Sequence, residues 1–168
     1  MYLCQPIGKA WLSETAYKEM VAEAERVFPN ETGGVFVGYC AVPFHEVVVT
    51  AAIGPGPRAV HESDRFEPDP EHQEAEIARC YQESGRLHTY LGDWHTHPDS
   101  GPHLSRLDRK TLKTIAGHPD ARTPVPIMAV LGGGAPWRFR LWRGNPIRIG
   151  SIIVAVRTRA LTVKMFQP

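Results

Sequence analysis

A chain of 168 residues, 42% hydrophobic and 22% charged, is the length of one ordinary domain and can bury roughly 70% of the surface its unfolded form exposes. Its formal net charge is +1, and acidic and basic residues read as interspersed, so neither a basic nucleic-acid groove nor a DNA-directed role is expected. Cys4, Cys40 and Cys80 form no Cys-x-x-Cys pair and read as buried thiols of a reducing compartment, while residues 1–6 lack a charged leader and no run approaches the ~18 apolar residues of a membrane span. A cytoplasmic protein without a membrane partner is the expectation.

In chain order, Ser13 is placed to cap a helix over residues 14–28, where Tyr17, Met20, Val21, Ala24, Val27 and Phe28 recur at helical spacing as a core stripe before Pro29 and Asn30 stop it. Residues 34–40 and 46–53, rich in Val and Phe, read as a hairpin joined through Pro43 and closed by Gly54-Pro-Gly-Pro57. Residues 58–70 mix charge with prolines as a connecting loop or short strand. A helix follows over 71–82, with Ala75, Ile77, Ala78 and Tyr81 facing inward and Gly85 as its cap. The run Tyr90-Leu-Gly-Asp-Trp-His-Thr-His97 ends an apolar and aromatic strand, and after the loop 98–104 Ser105 caps a helix over 106–116 that carries Leu107, Leu112 and Ile115. Residues 125–131, the turn Gly132-Gly-Gly134 and residues 137–142 read as a second hairpin. Beyond Asn145-Pro146, residues 147–168 hold one or two more strands, which either complete the domain's own sheet or offer an edge to a partner. There is no repeat and no low-complexity segment. The order implies an α/β or α+β sandwich with a mixed sheet, one domain over 1–168 with its core at about residues 8–145 and C-terminal strands at 147–168.

The chemistry concentrates around His95 and His97. On a strand, residues two apart share a face, so both imidazoles point the same way and Trp94 points oppositely, into the core. Asp108 lies in the first turn of the helix that Ser105 starts. Two neutral imidazoles and one carboxylate can hold one zinc ion per chain and leave its fourth position to water. Amide hydrolysis also needs a group to move protons, and Glu31 is the candidate, beside Thr32-Gly33-Gly34, where absent side chains permit close backbone approach. Ser105 can donate to the oxyanion or serve only as an N-cap, the two roles competing for one hydroxyl. His45, His61, His72, His88, His103 and His118 are scattered without ligand spacing and read as solvated, with approach to substrate as the alternative for His103, which sits inside the motif loop. A metallo-β-lactamase-type signature would need histidine where Ser100 stands. A zinc deaminase would need His-x-Glu and Pro-Cys-x-x-Cys, and neither occurs.

The spacing His-x-His, seven residues, Ser, two residues, Asp, with an upstream Glu in Asn30-Glu-Thr-Gly-Gly34, resembles the JAMM (MPN-plus) metalloprotease motif, with every position filled by Glu31, His95, His97, Ser105 and Asp108. The resemblance implies a cytidine-deaminase-like JAB/MPN core, His95, His97 and Asp108 as zinc ligands, Glu31 handling protons and Ser105 holding the oxyanion. It implies a ubiquitin-like β-grasp protein as substrate, cleaved after its C-terminal tail at a peptide or isopeptide bond, in deconjugation or in processing. The wording Gly92-Asp-Trp-His-Thr-His-Pro98 resembles the compact bacterial subgroup associated with ubiquitin-activating-like and conjugating-like enzymes in antiphage operons. The alternatives are release of a sulfur-carrier protein or a silent scaffold like the MPN-minus members, against which the intact five-residue set argues.

Overall fold

The computed structural model describes residues 8–41 and 46–167. Cys4, Pro43 and His45 lie outside the described residues. The elements run β1 (Lys9–Ser13), α1 (Glu14–Val27), β2 (Gly33–Ala41), β3 (Glu46–Ile53), β4 (Val60–His61), β5 (Phe66–Glu67), α2 (Pro70–Glu83), β6 (Thr89–Pro98), α3 (Arg106–Gly117), a 3-10 turn (Pro119–Ala121), β7 (Ile127–Gly133), β8 (Trp137–Ile149), β9 (Ile152–Ala160) and β10 (Thr162–Phe166). Eight strands form one mixed sheet in the order β10-β1-β3-β2-β6-β7-β8-β9, and β4 pairs with β5 apart from it. β6, the histidine strand, sits centrally, antiparallel to β2 and parallel to β7.

Alternation along the strands divides the apolar side chains between two faces. On one face α1 lays Ala16, Met20 and Ala24 against Leu12, Phe36, Val49, Trp94 and Leu131, all buried. The opposite face is covered in two portions: α2 over Val35, Val37 and Ile53, and α3, through Leu112, over Met128 and Val130. The gap between α2 and α3 leaves part of β6 uncovered, and this positions the site. Among the described residues no helix is long and apolar enough to cross a membrane.

Several sequence expectations are corrected. The α1 stripe does not include Phe28, which is 45% exposed past the helix end. On α2 the inward residues are Gln73, Ile77 and Cys80, whereas Ala75 and Ala78 are exposed. The helix is placed by the aliphatic surface beneath it, and its own composition left that phase undetermined. Its end is as expected, Gly85 at positive φ with Arg86 N–H donating to the Tyr81 carbonyl (2.7 Å), a Schellman closure. Leu107 is 67% exposed. Gly132 and Gly133 belong to β7 and not to a turn, and a Cβ at Gly132 would lie 2.5 Å from backbone atoms of Gly101 and Pro102, so glycine here lets the motif loop lie on the strand. β8 continues through Asn145-Pro146 with a register shift at Ile147/Arg148. β9 closes a hairpin on it, and β10 returns to pair with β1, so the C-terminal strands complete the chain's own sheet. Cys40 is exposed and Cys80 half-buried rather than buried.

Charge is segregated, not interspersed. Of the 18 Asp and Glu, 17 precede residue 109, while residues 109–168 carry 11 of the 19 Lys and Arg and only Asp120 against them. Short-range mixing within α1 and α2 conceals this asymmetry.

Candidate metal centre

β6 projects Asp93, His95 and His97 from one face at the period of two, with Trp94 on the other face, its indole N–H donating to the Ile53 carbonyl (3.2 Å). α3 begins at Ser105 with a capping box: the Asp108 N–H donates to Ser105 Oγ (3.1 Å) and the Ser105 N–H donates to Asp108 Oδ2 (2.6 Å). That box fixes the Asp108 rotamer and turns its carboxylate to the histidines. His95 Nε2 lies 3.2 Å from Asp108 Oδ1 and 3.1 Å from His97 Nε2, and His97 Nε2 lies 3.7 Å from Asp108 Oδ2.

These three groups offer ligand atoms that all lie within 4.8 Å of one another. Tetrahedral zinc bound at its usual N and O distances separates its ligand atoms by roughly 3.3 Å, so the triangle fits a zinc-sized ion and the nitrogen and oxygen donor set suits it. Protonation agrees. Burial, with His95 beside it, holds His97 below its usual pKa against Asp108 and hydrogen bonds to the Gly101 and His103 backbone, which keeps a neutral lone pair. Burial pushes the Asp108 carboxyl up, but the His95 hydrogen bond and charge, with the bonds from Ser105, outweigh it and hold the group well below the carboxylate range.

The Ser105 hydroxyl accepts the Asp108 N–H through a lone pair and its O–H bonds the Asp108 carboxylate, so donation to an oxyanion requires the proton to turn away from that carboxylate.

Glu31 reaches the site through a clamp between β6 and the start of β2. Thr32 N–H donates to Thr96 Oγ1 (2.9 Å), and Thr96 N–H donates to the Thr32 carbonyl (2.8 Å). Both threonines are buried, and Thr96 stands between the two histidines. A Cβ at Gly33 would collide with the Trp94 carbonyl and one at Gly34 with the Ile53 carbonyl, so the Gly-Gly pair is what lets this segment lie between the histidine strand and β3. The β4–β5 hairpin holds Glu31 from the other side: its N–H donates to the Glu62 carbonyl (2.8 Å), and His61 Nδ1 is 2.9 Å from its carbonyl oxygen. His61 is therefore part of this scaffold and stacks on Phe66, contrary to its expected solvation. Burial raises the Glu31 carboxyl pKa, helped by Asp108 and Asp64 and opposed by His95.

Glu31, His95 and Asp108 line one cleft of about 400 Å³, with Asp93, Phe66 and Leu107 on its walls. The sequence reading missed those three wall residues. Asp93 was findable, since it stands two residues before His95 at the strand period. It accepts a 2.6 Å hydrogen bond from the Tyr90 hydroxyl, and burial raises its carboxyl pKa against that bond. Phe66 and Leu107 carry no signal in a single sequence. His103 is exposed, beside the His97 ring.

A family model described as prokaryotic homologs of the JAB domain matches residues 13–144. The chain is 38% identical over 159 residues to the probable metalloprotease y4qB of Sinorhizobium fredii, covering 94% of this chain and 96% of that protein. It is 27% identical over 153 residues to a CD-NTase/cGAS isopeptidase of Enterobacter hormaechei, covering 85% and 81%. The solution structure of protein DSY2949 from Desulfitobacterium hafniense shares the fold, with a TM-score of 0.63 at 16% identity over 95% of this chain and 94% of that one.

Proposed function

The chain belongs to the prokaryotic JAB-domain family, a metalloprotease type, and from that premise we propose that it is a cytoplasmic zinc-dependent isopeptidase that cuts after the C-terminal tail of a ubiquitin-like β-grasp protein. The observation that carries the reading is the convergence of His95, His97 and Asp108, two of which, His95 and Asp108, line one cleft with Glu31.

In this reading His95, His97 and Asp108 hold one zinc ion per chain. Bound there, zinc supplies Lewis-acid polarisation of the scissile carbonyl and acidifies water toward neutrality. Glu31 accepts the proton of the attacking water and delivers it to the departing amine as the C–N bond breaks, and its burial makes it the stronger base for the first task. Ser105 turns its O–H from the Asp108 carboxylate to the carbonyl oxygen as negative charge grows on it. The relatives whose names include CD-NTase/cGAS isopeptidase support isopeptidase activity, and the same reading assigns the chain to bacterial antiphage defence alongside ubiquitin-activating-like and conjugating-like enzymes.

The test uses a ubiquitin-like protein encoded beside the gene, fused through its own C-terminus to a reporter and followed by mass spectrometry. A single metal-dependent cut at the tail is expected. A fusion left intact by zinc-loaded protein that turns over a small amide instead would overturn the isopeptidase reading.

A further inference from the structure

Two surfaces near the C-terminal end of α3 complement one another. The first is the tip of the β8–β9 hairpin, beyond the last residue of the family match. There Ile149 is 70% exposed, Ile152 67% and Ile147 42%, around the turn at Gly150. Arg148 stands among them, and Lys110 and Lys113 of α3 share a groove with it. These three cations make no ion pair with a carboxylate among the described residues, whereas Lys9, Lys18, Arg26, Arg58, Arg65 and Arg79 all do. Single exposed aliphatics need no explanation, but three isoleucines on one hairpin tip form a patch that water does not favour.

The second surface is a groove of about 790 Å³ between α2 and α3, floored by Ile77, Ala78, Tyr81 and Ile115. Glu74 and Asp120 line it with Arg122, and neither carboxylate is in an ion pair among the described residues, whereas Glu71, Glu76 and Glu83 of α2 are paired with Arg58 and Arg79. The groove and the basic groove both include Thr114 and His118, so they flank one point on the surface. Adjacent patches of opposite charge, one protruding and apolar and one concave and apolar, satisfy each other twice about a two-fold axis through that point.

We propose that this surface is a self-complementary interface, in which the hairpin tip of one copy of the chain enters the α2–α3 groove of a second copy and the second returns the contact. Isoleucines fill the apolar floor, and Arg148 meets Glu74 and Asp120. Charge disfavours those registers of a β9 edge on β9 edge pairing in which Arg157 and Arg159 would oppose arginines of the other copy. The proposal is independent of the catalytic reading, since none of these residues is in the metal cleft.

The experiment is sedimentation equilibrium of the full chain between about 5 and 200 µM, in low salt. A two-fold mass is expected for the unaltered protein. R148E and E74R, both at the surface, should each be monomeric, since each makes both contacts of a homodimer repulsive. Mixed in equal amounts they should dimerise again, because the hybrid carries one original contact and one with charges exchanged. I149D should dissociate the dimer without rescue by either. Circular dichroism and thermal melts confirm that each variant is folded. A monomeric parent protein up to 200 µM, variants that stay dimeric, or a mixture that stays monomeric would each overturn the interface.

Discussion

Glu31 and Ser105 meet different demands, and substitution separates them. Glu31→Gln keeps shape and hydrogen bonding but cannot accept a proton, so cleavage should fall by roughly 10²-fold or more, with metal content unchanged by elemental analysis. Near-normal turnover by this variant would move the base to another carboxylate of the cleft, Asp93 or Asp64. For Ser105, glycine is the informative replacement, because Gly at an N-cap costs only a few tenths of a kcal/mol whereas the missing hydroxyl removes an oxyanion donor. Ser105→Gly should therefore melt close to the parent temperature while kcat drops on the order of 10²-fold. A variant that loses stability but keeps its turnover would reduce Ser105 to a cap. At this scale the sequence was most legible: strand period and helix phase placed His95, His97 and Asp108 together. It could not show that Oγ accepts the Asp108 N–H while its own O–H bonds the Asp108 carboxylate, which depends on the geometry of the folded helix start.

At the scale of elements, the site depends on where helices start. α2 begins at Asp69, whose side chain accepts from the His72 N–H. Arg58 grips the same carboxylate through Nε (3.1 Å) and Nη2 (2.9 Å), and this guanidinium is the main cause of its pKa falling to about 2, against some burial. The folded pKa lies below the unfolded value of about 3.9, so the contribution to stability is present above pH ~4 and is lost as pH falls from there toward 2. Asp69→Asn should accordingly lower the melting temperature at pH 7, leave it nearly unchanged near pH 2, and flatten the acid limb between. An unaltered limb would show that other carboxylates set it. Asp69 was overlooked because residues 58–70 read as a loop, and its partner Arg58 is eleven residues away. The phase of α2 was misread for a related reason: Ala75 and Ala78 are good helix formers, but the surface of Val35, Val37 and Ile53 selects Ile77 and Cys80.

Across the whole molecule, the ligands come from a central strand and from a helix packed beside it, so a bound metal ties β6 to α3. Metal binding to the folded chain alone stabilises it by mass action, and chelation should lower the melting temperature, an effect recovered on adding zinc. In His95→Ala/His97→Ala protein the chelator should do nothing. A parent melt insensitive to both chelator and zinc would argue against the site. What the sequence by itself determined was local: the α1 cap at Ser13, the hairpin of β2 and β3, the strand of the histidines, the cap of α3, and through the five motif residues the family. The caps, strands and hairpin follow from side-chain period and capping chemistry within a few turns of chain, and the motif from residue types at fixed places across residues 31–108. The tertiary structure decided the rest. β10 pairs with β1 across nearly the whole chain length, β4–β5 folds over Glu31, and Thr96 locks onto Thr32 from 64 residues away. Contacts at such separations depend on which faces the complete sheet leaves uncovered, and that is a property of all eight strands together.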